Sequence, residues 1–400
     1  MREGICGVAV NKQGPFFRRY VLGWRHVPLT SDTSCAKYKT PPTGRGFPVR
    51  KMSVFYGSPD PRLQGGACGL RSRFIIDQTF RAAKIISESR VVQSIDVLCV
   101  GATSYDFVFW VNRHPEPDEK MFAESFVRCG GGPAANASVM VSRMGLKSAF
   151  AGYLGLDLFG GLHLEELQSA GVNTELVVRG EYPTPLSSVR VNSAGERSLV
   201  NYRSANSDLH REMFNIANIH PKVILFDGHE PELSMSLLKE APAMGILTVL
   251  DAGSWNSGTS QLFDKVDHLV CSAQFAYELT GISSPEPALK KLISYNRHVV
   301  ITLGKEGVVW SNTGGEGRIP AFHVAVKDST GAGDVFHGAF AGCLALGKGW
   351  DDILRYSSAA AALSCTRLGG RTGIPEGVEV ERFLEESCSK DETTKGRNGC

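Results

Sequence analysis

The sequence predicts an α/β fold, with a mainly parallel central sheet, helices on both faces and a small β lid. Short apolar runs recur along the chain from Ile95 to Leu303. Stretches of helical composition separate them. One pair of strand-like segments interrupts the rhythm. Strands that alternate with helices form parallel sheets covered on both sides.

The elements follow in chain order. Ile95 to Val100, closed by Gly101, reads as a short buried strand. Asn136 to Met144 has helical composition, and Ser148 to Tyr153 is the next apolar run. Gly160 to Ser169 is a second helix, stopped by Gly171. Leu186 to Val191 and Arg197 to Arg203 flank Ser193-Ala194-Gly195-Glu196, a hairpin with a glycine-containing turn. Such a hairpin (about 186–203) suits a lid or an edge extension. Strands are expected at Val223–Phe226, Leu247–Leu250, His268–Cys271 and Val299–Leu303, with a helix at Pro231–Lys239. Val335 to Leu346 is helical and ends at Gly347.

Composition narrows the function classes. The chain has 400 residues, 42% hydrophobic and 21% charged, which is globular. No apolar run reaches about 18 residues, which excludes a transmembrane helix and a membrane partner. The ten cysteines form no CxxC pair, against a zinc ribbon. They read as reduced thiols inside a cell. Residues 1–90 hold 16 Lys and Arg against 5 Asp and Glu, whereas 91–400 hold 27 against 36. An acidic body argues against nucleic acid as a partner. The basic leader has only Glu3 and Asp32 as acids before Met52. It reads as a transit peptide into a plastid or mitochondrion. The other reading is a disordered extension upstream of a start at Met52, which leaves the protein cytoplasmic. The domain expected is 91–385, with a tail over 386–400.

The strongest motif is Lys327-Asp328-Ser329-Thr330-Gly331-Ala332-Gly333-Asp334. It opens a helix, and helix-first N–H groups lack partners and carry the positive end of the dipole. Gly331, Ala332 and Gly333 are therefore a candidate anion hole for a phosphate. Asp334, in the first turn, is either a helix-capping carboxylate or a general base beside a nucleophilic hydroxyl. Gly342 to Lys348 matches GxxxxGK, but Gly349 replaces the Ser/Thr and no strand precedes it. Gly130-Gly131-Gly132-Pro133-Ala134-Ala135-Asn136 also leads into a helix. Asn136 is either its N-cap or an amide for sugar hydroxyls.

These two motifs, in this order, resemble those of the PfkB carbohydrate kinases, the ribokinase-like family. The resemblance runs from about Asp96 to Glu385. It implies a three-layer α/β/α sandwich with a β lid, and ATP-dependent phosphorylation of a small sugar. By the family's pattern Asp334 is the base and Gly331, Ala332 and Gly333 cradle the transferred phosphate. Asp106, Gly131, Gly132 and Asn136 then bind the sugar, with Arg197 and Asn201 reaching it from the lid. Thr302, Gly304 and Gly307, with Gly369 and Gly370, lie along ATP. Asp328 and Thr330 match a monovalent cation site, for K+, while Mg2+ accompanies the nucleotide. The family's Asn-x-x-Glu is missing, since Ser272-Ala273-Gln274-Phe275 stands there.

Local patterns at Gly130–Ala135, Gly195–Arg197 with Asn201-Tyr202, and Cys365–Pro375 resemble sulfofructose kinases and ketohexokinases, which points to a fructose-type keto sugar. Arg197, Leu199, Asn201 and Arg203 share one face of the hairpin. If that face covers the sugar, two cations favour an anionic ketose; if it faces solvent, the substrate is neutral. A nucleoside kinase and an inactive PfkB-like subunit of a plastid complex are the alternatives. Lids of this family often make homodimer contacts.

Overall fold

The computed structural model describes residues 93–204, 209–214 and 219–395. The basic leader, residues 1–90, lies outside them.

A nine-stranded sheet forms the centre. Its strands are β1 (Gln93–Val100), β4 (Ser148–Gly155), β5 (Val177–Gly180), β8 (Ile219–Phe226), β9 (Leu247–Ala252), β10 (His268–Ser272), β11 (Val299–Thr302), β12 (Val308–Asn312) and β13 (Gly315–Ile319). Their order is β13-β12-β11-β10-β9-β8-β1-β4-β5. All pairs are parallel except β11–β12 and β12–β13.

Alternate residues of each strand enter separate cores. Leu98 and Val100 join Ile224, Phe226 and Leu250 on one face. Val97 and Cys99 join Val223, Leu225 and Val249 on the other. Burial on both faces is why these strands read as unbroken apolar runs.

The first core is covered by α3 (Pro231–Glu240), α4 (Thr259–Leu262), α5 (Ala273–Thr280) and α6 (Pro285–Leu292). The second lies under α1 (Pro133–Arg143), α2 (Leu158–Ser169), α7 (Ala332–Ala345), α8 (Trp350–Ser364) and α9 (Gly377–Lys395). The three-layer sandwich is therefore observed. α9 runs past residue 385, across the boundary drawn from the sequence.

The lid is larger than one hairpin. β6 (Leu186–Val191) and β7 (Arg197–Tyr202) pair antiparallel as expected. They join β2 (Ser104–Trp110) and β3 (Ser125–Gly131) in a four-stranded sheet ordered β3-β2-β6-β7. β2 and β3 are not among the strands expected from the sequence. Ser104 and Asp106 interrupt the first, and Arg128 and two glycines the second.

Candidate active site

The site forms where the C-terminal ends of β1, β8 and β9 meet the lid and the start of α7. Gly331 caps α7 with φ 77°, a left-handed conformation that glycine adopts without strain. The N–H groups of the first turn have no acceptor within the helix, so they and the dipole favour an anion. Asp334 sits in this turn at intermediate exposure. It does not cap the helix.

Asn136, 2% exposed, faces it from α1. Its Nδ2 donates to Asp334 Oδ2 at 2.8 Å. Asn136 is not an N-cap either: Gly132 holds that position and Pro133 begins the helix.

Asp106 lies inside β2 and is buried. Ser104 Oγ donates to its Oδ1 at 2.6 Å. Burial pushes its carboxyl up, against the pull of Ser104, Ser187 and Arg371, and Asp334's charge adds to the rise. A Cβ at Gly131 would overlap this carboxylate, so the backbone must be bare there. Asp106, Gly131, Gly132, Asn136 and Asp334 are thus brought together.

Asp227, missed by the sequence reading, ties the segment after β1 to the start of α1. Its Oδ2 accepts the N–H of Ala102 at 2.7 Å and of Ala134 at 3.1 Å. His229 N–H donates to Oδ1 at 2.9 Å, and the His229 ring lies 3.3 Å from the same oxygen. The Asp227 charge raises the His229 pKa to about 9. Burial acts to raise Asp227, but His229 and the backbone donors hold it below the usual carboxylate range.

His337, also missed, braces α7 from below. Its Nδ1 meets Gly333 O at 2.6 Å and Asp251 Oδ2 at 3.3 Å, and its Nε2 meets Val270 O at 3.1 Å. This ties the first turn of α7 to β9 and β10. Burial lifts the Asp251 pKa to about 6, with His337 opposing and Asp334 assisting.

On the other side of the α7 terminus is a cavity of about 480 Å3, within the size range of small-molecule sites. Thr302, Gly304 and Gly307 line it, with Ala332, Gly333 and Cys365. Gly369 and Gly370 are not on its wall. Gly369 N–H donates to Asp328 Oδ2 at 2.8 Å, and Gly370 packs behind Gly331. Asp328 also accepts the Thr330 N–H at 2.8 Å. Thr330 Oγ1 is buried with no hydrogen-bond partner. A buried carboxylate beside an unsatisfied hydroxyl is an oxygen donor set that fits a monovalent cation.

Arg197 and Asn201 sit in the lid. Both lie on β7, an edge strand separated from β2 by β6. Asn201 sits opposite Ser187, which sits opposite Asp106. Arg197's charge is felt at Cys365, on the cavity wall. Arg203 Nη2 donates to the buried Glu230 at 2.8 Å.

An anion-binding helix start with a carboxylate in its first turn, set between a cavity and a polar cleft, defines a phosphotransferase. A family model described as pfkB family carbohydrate kinase matches residues 94–377. The chain belongs to that family and is a sugar kinase. It is 29% identical to the ribokinase of Bacillus subtilis over 294 residues, 72% of this chain and 99% of the relative. It is 29% identical to fructokinase-1 of Oryza sativa subsp. japonica, covering 66% of this chain and 91% of that one. The solved ribokinase of Thermotoga maritima superposes with a TM-score of 0.65 at 28% identity, covering 73% of this chain and 99% of that one.

Proposed function

We propose that this kinase transfers the γ-phosphoryl of ATP to a hydroxyl of a fructose-type keto sugar. The observation that carries this is the Asn136–Asp334 hydrogen bond at the mouth of the α7 anion site. It holds one carboxylate oxygen and leaves the other for a sugar proton. Asp334 takes the proton of the hydroxyl, and the sugar oxygen attacks the γ-phosphorus. The bond to the β,γ-bridging oxygen breaks and ADP leaves. The first-turn N–H groups of α7 neutralise charge on the passing phosphoryl.

Mg2+ would neutralise the nucleotide phosphates. Among the described residues no group of three His, Cys, Asp or Glu could hold a metal ion. This agrees with Mg2+ entering on the nucleotide, as is common for that ion. Asp328 and Thr330 would hold K+.

Arg203 is engaged by the buried Glu230, which takes that lid cation away from a sugar phosphate or sulfonate. That supports a neutral ketose. Exposed Phe126, Val200 and Tyr202, on one face of the lid, support a homodimer. The basic leader supports import into an organelle.

The test is ADP release by the purified protein with fructose, fructose 6-phosphate, ribose and adenosine. The expected result is the highest kcat/KM for fructose. Preference for adenosine would make it a nucleoside kinase. No turnover with any sugar would favour the structural-subunit alternative.

A further inference from the structure

Arg371 is a buried charge, 6% exposed, that no step above uses. Its Nε donates to Asn136 Oδ1 at 2.8 Å. Its Nη2 donates to His163 Nε2 at 3.1 Å, and Nη1 lies 4.0 Å from Glu166 Oε2. The backbone is shaped to admit it. A Cβ at Gly130 would press on the His163 ring and lie 3.1 Å from Nη1.

These contacts fix two assignments that density seldom settles. Guanidinium is a donor only. The Asn136 oxygen must therefore face Arg371, and its NH2 must face Asp334. By the same logic His163 Nε2 is the acceptor and Nδ1 carries the proton. Burial and the Arg371 charge hold the His163 pKa well below 6.5, so that acceptor persists at working pH.

We infer that Arg371 is a positioning residue that locks the Asn136 amide as a pure donor toward the base and the sugar. This rests on the reading of Asp334 as base. With Oδ1 consumed by Arg371, Asn136 offers a sugar only N–H. The carboxylates of Asp106 and Asp334 stand beside it as acceptors. A hydroxyl that accepts from Asn136 keeps its own proton free for a carboxylate, which is the alignment general-base catalysis needs. The chain Arg371–Asn136–Asp334 also polarises along its length, which strengthens the bond to Asp334 Oδ2.

The charged groups around this chain bear on its test. Glu166, Cys129, Asp106 and Arg143 act on Arg371. Asp106 and Asp251 both feel Asp334.

The experiment is the pH profile of kcat/KM for the sugar in Arg371→Met and Arg371→Lys, each with and without Asn136→Ala. Folding is checked by circular dichroism. The acidic limb should move up by roughly half to one pH unit in Arg371→Met, and less in Arg371→Lys, which keeps a donor. In the Asn136→Ala background the Arg371 change should add almost nothing, because coupled residues are not additive. A limb that stays put, or an Arg371 effect that survives without Asn136, would overturn the inference. A charge acting through space, or a purely structural role, gives those outcomes. If neither Arg371 variant folds, a neutron structure of the wild type with sugar bound, which shows the amide deuterons, decides. Arg371 Nε must remain on Asn136 Oδ1, and an amide turned to accept from the sugar contradicts the inference. Full activity in Asp334→Asn would sink the base reading itself. Loss of activity there with unmoved limbs in Arg371→Met would sink this inference alone.

Discussion

Asn136 reaches across 198 positions of chain to donate its Nδ2 to Asp334 Oδ2. One residue comes from the first turns of α1, after the glycine-rich turn, and the other from the first turn of α7. The bond fixes where the Asp334 carboxylate points. Preorganisation of this kind lowers a barrier because no rearrangement is left for the reaction step.

His337 secures the same helix from beneath, so its loss should loosen the anion site. His337→Ala leaves the carbonyls of Gly333 and Val270 without their ring partner. A stability loss of about 1–3 kcal/mol is expected from the lost buried hydrogen bonds of the ring, with kcat falling more than the sugar KM rises. Urea unfolding and steady-state kinetics check this. Unchanged stability would mean the brace is idle.

The His229–Asp227 pair gives a pH signature. The folded His229 pKa of about 9 lies above its ordinary 6.5. Its contribution to stability is therefore complete below pH 6.5 and is lost as pH rises through about 9. The difference in Tm between wild type and His229→Gln should shrink over that window. A difference constant from pH 6 to pH 10 would show that the ring charge plays no part.

Much of the fold was legible because its strands are buried on both faces, so each reads as an apolar run. The start of α7 was legible because Gly331 and Gly333 stand before a helical stretch with an acid in its first turn. Asn136 as a site residue came from the family resemblance; its own surroundings left a cap role open. Pro133 was an available sign that the helix begins earlier, since proline favours the first helical position. Arg371, Asp227 and His337 were not legible. Charged and imidazole side chains are mostly exposed, and nothing local marks the few that tertiary packing buries. The Arg371 loop looks like any glycine-rich turn until His163 and Asn136, distant in sequence, close around it.

Thr330→Val tests the proposed cation site. It keeps the side-chain shape and removes the unpartnered hydroxyl. Activation by KCl, measured against a tetramethylammonium control, should be weakened or lost, with the fold unchanged. Equal activation in the variant would place the cation elsewhere, or make it irrelevant.

Removing residues 1–90 should leave folding and sugar kinase activity intact, because all nine described strands of the central sheet lie from Gln93 onward. A fusion of those residues to a fluorescent protein should enter an organelle. Insolubility of the shortened protein, or a diffuse fusion, would count against a leader that acts only as an address.

The transfer itself is tested by turnover of fructose with ATP in wild type and Asp334→Asn. The amide keeps the size and polarity of the carboxylate but cannot take a proton. Turnover should fall by roughly 10²–10⁴, the range for a lost general base, while nucleotide binding measured by calorimetry persists. Near-normal turnover in Asp334→Asn would contradict Asp334 as the base.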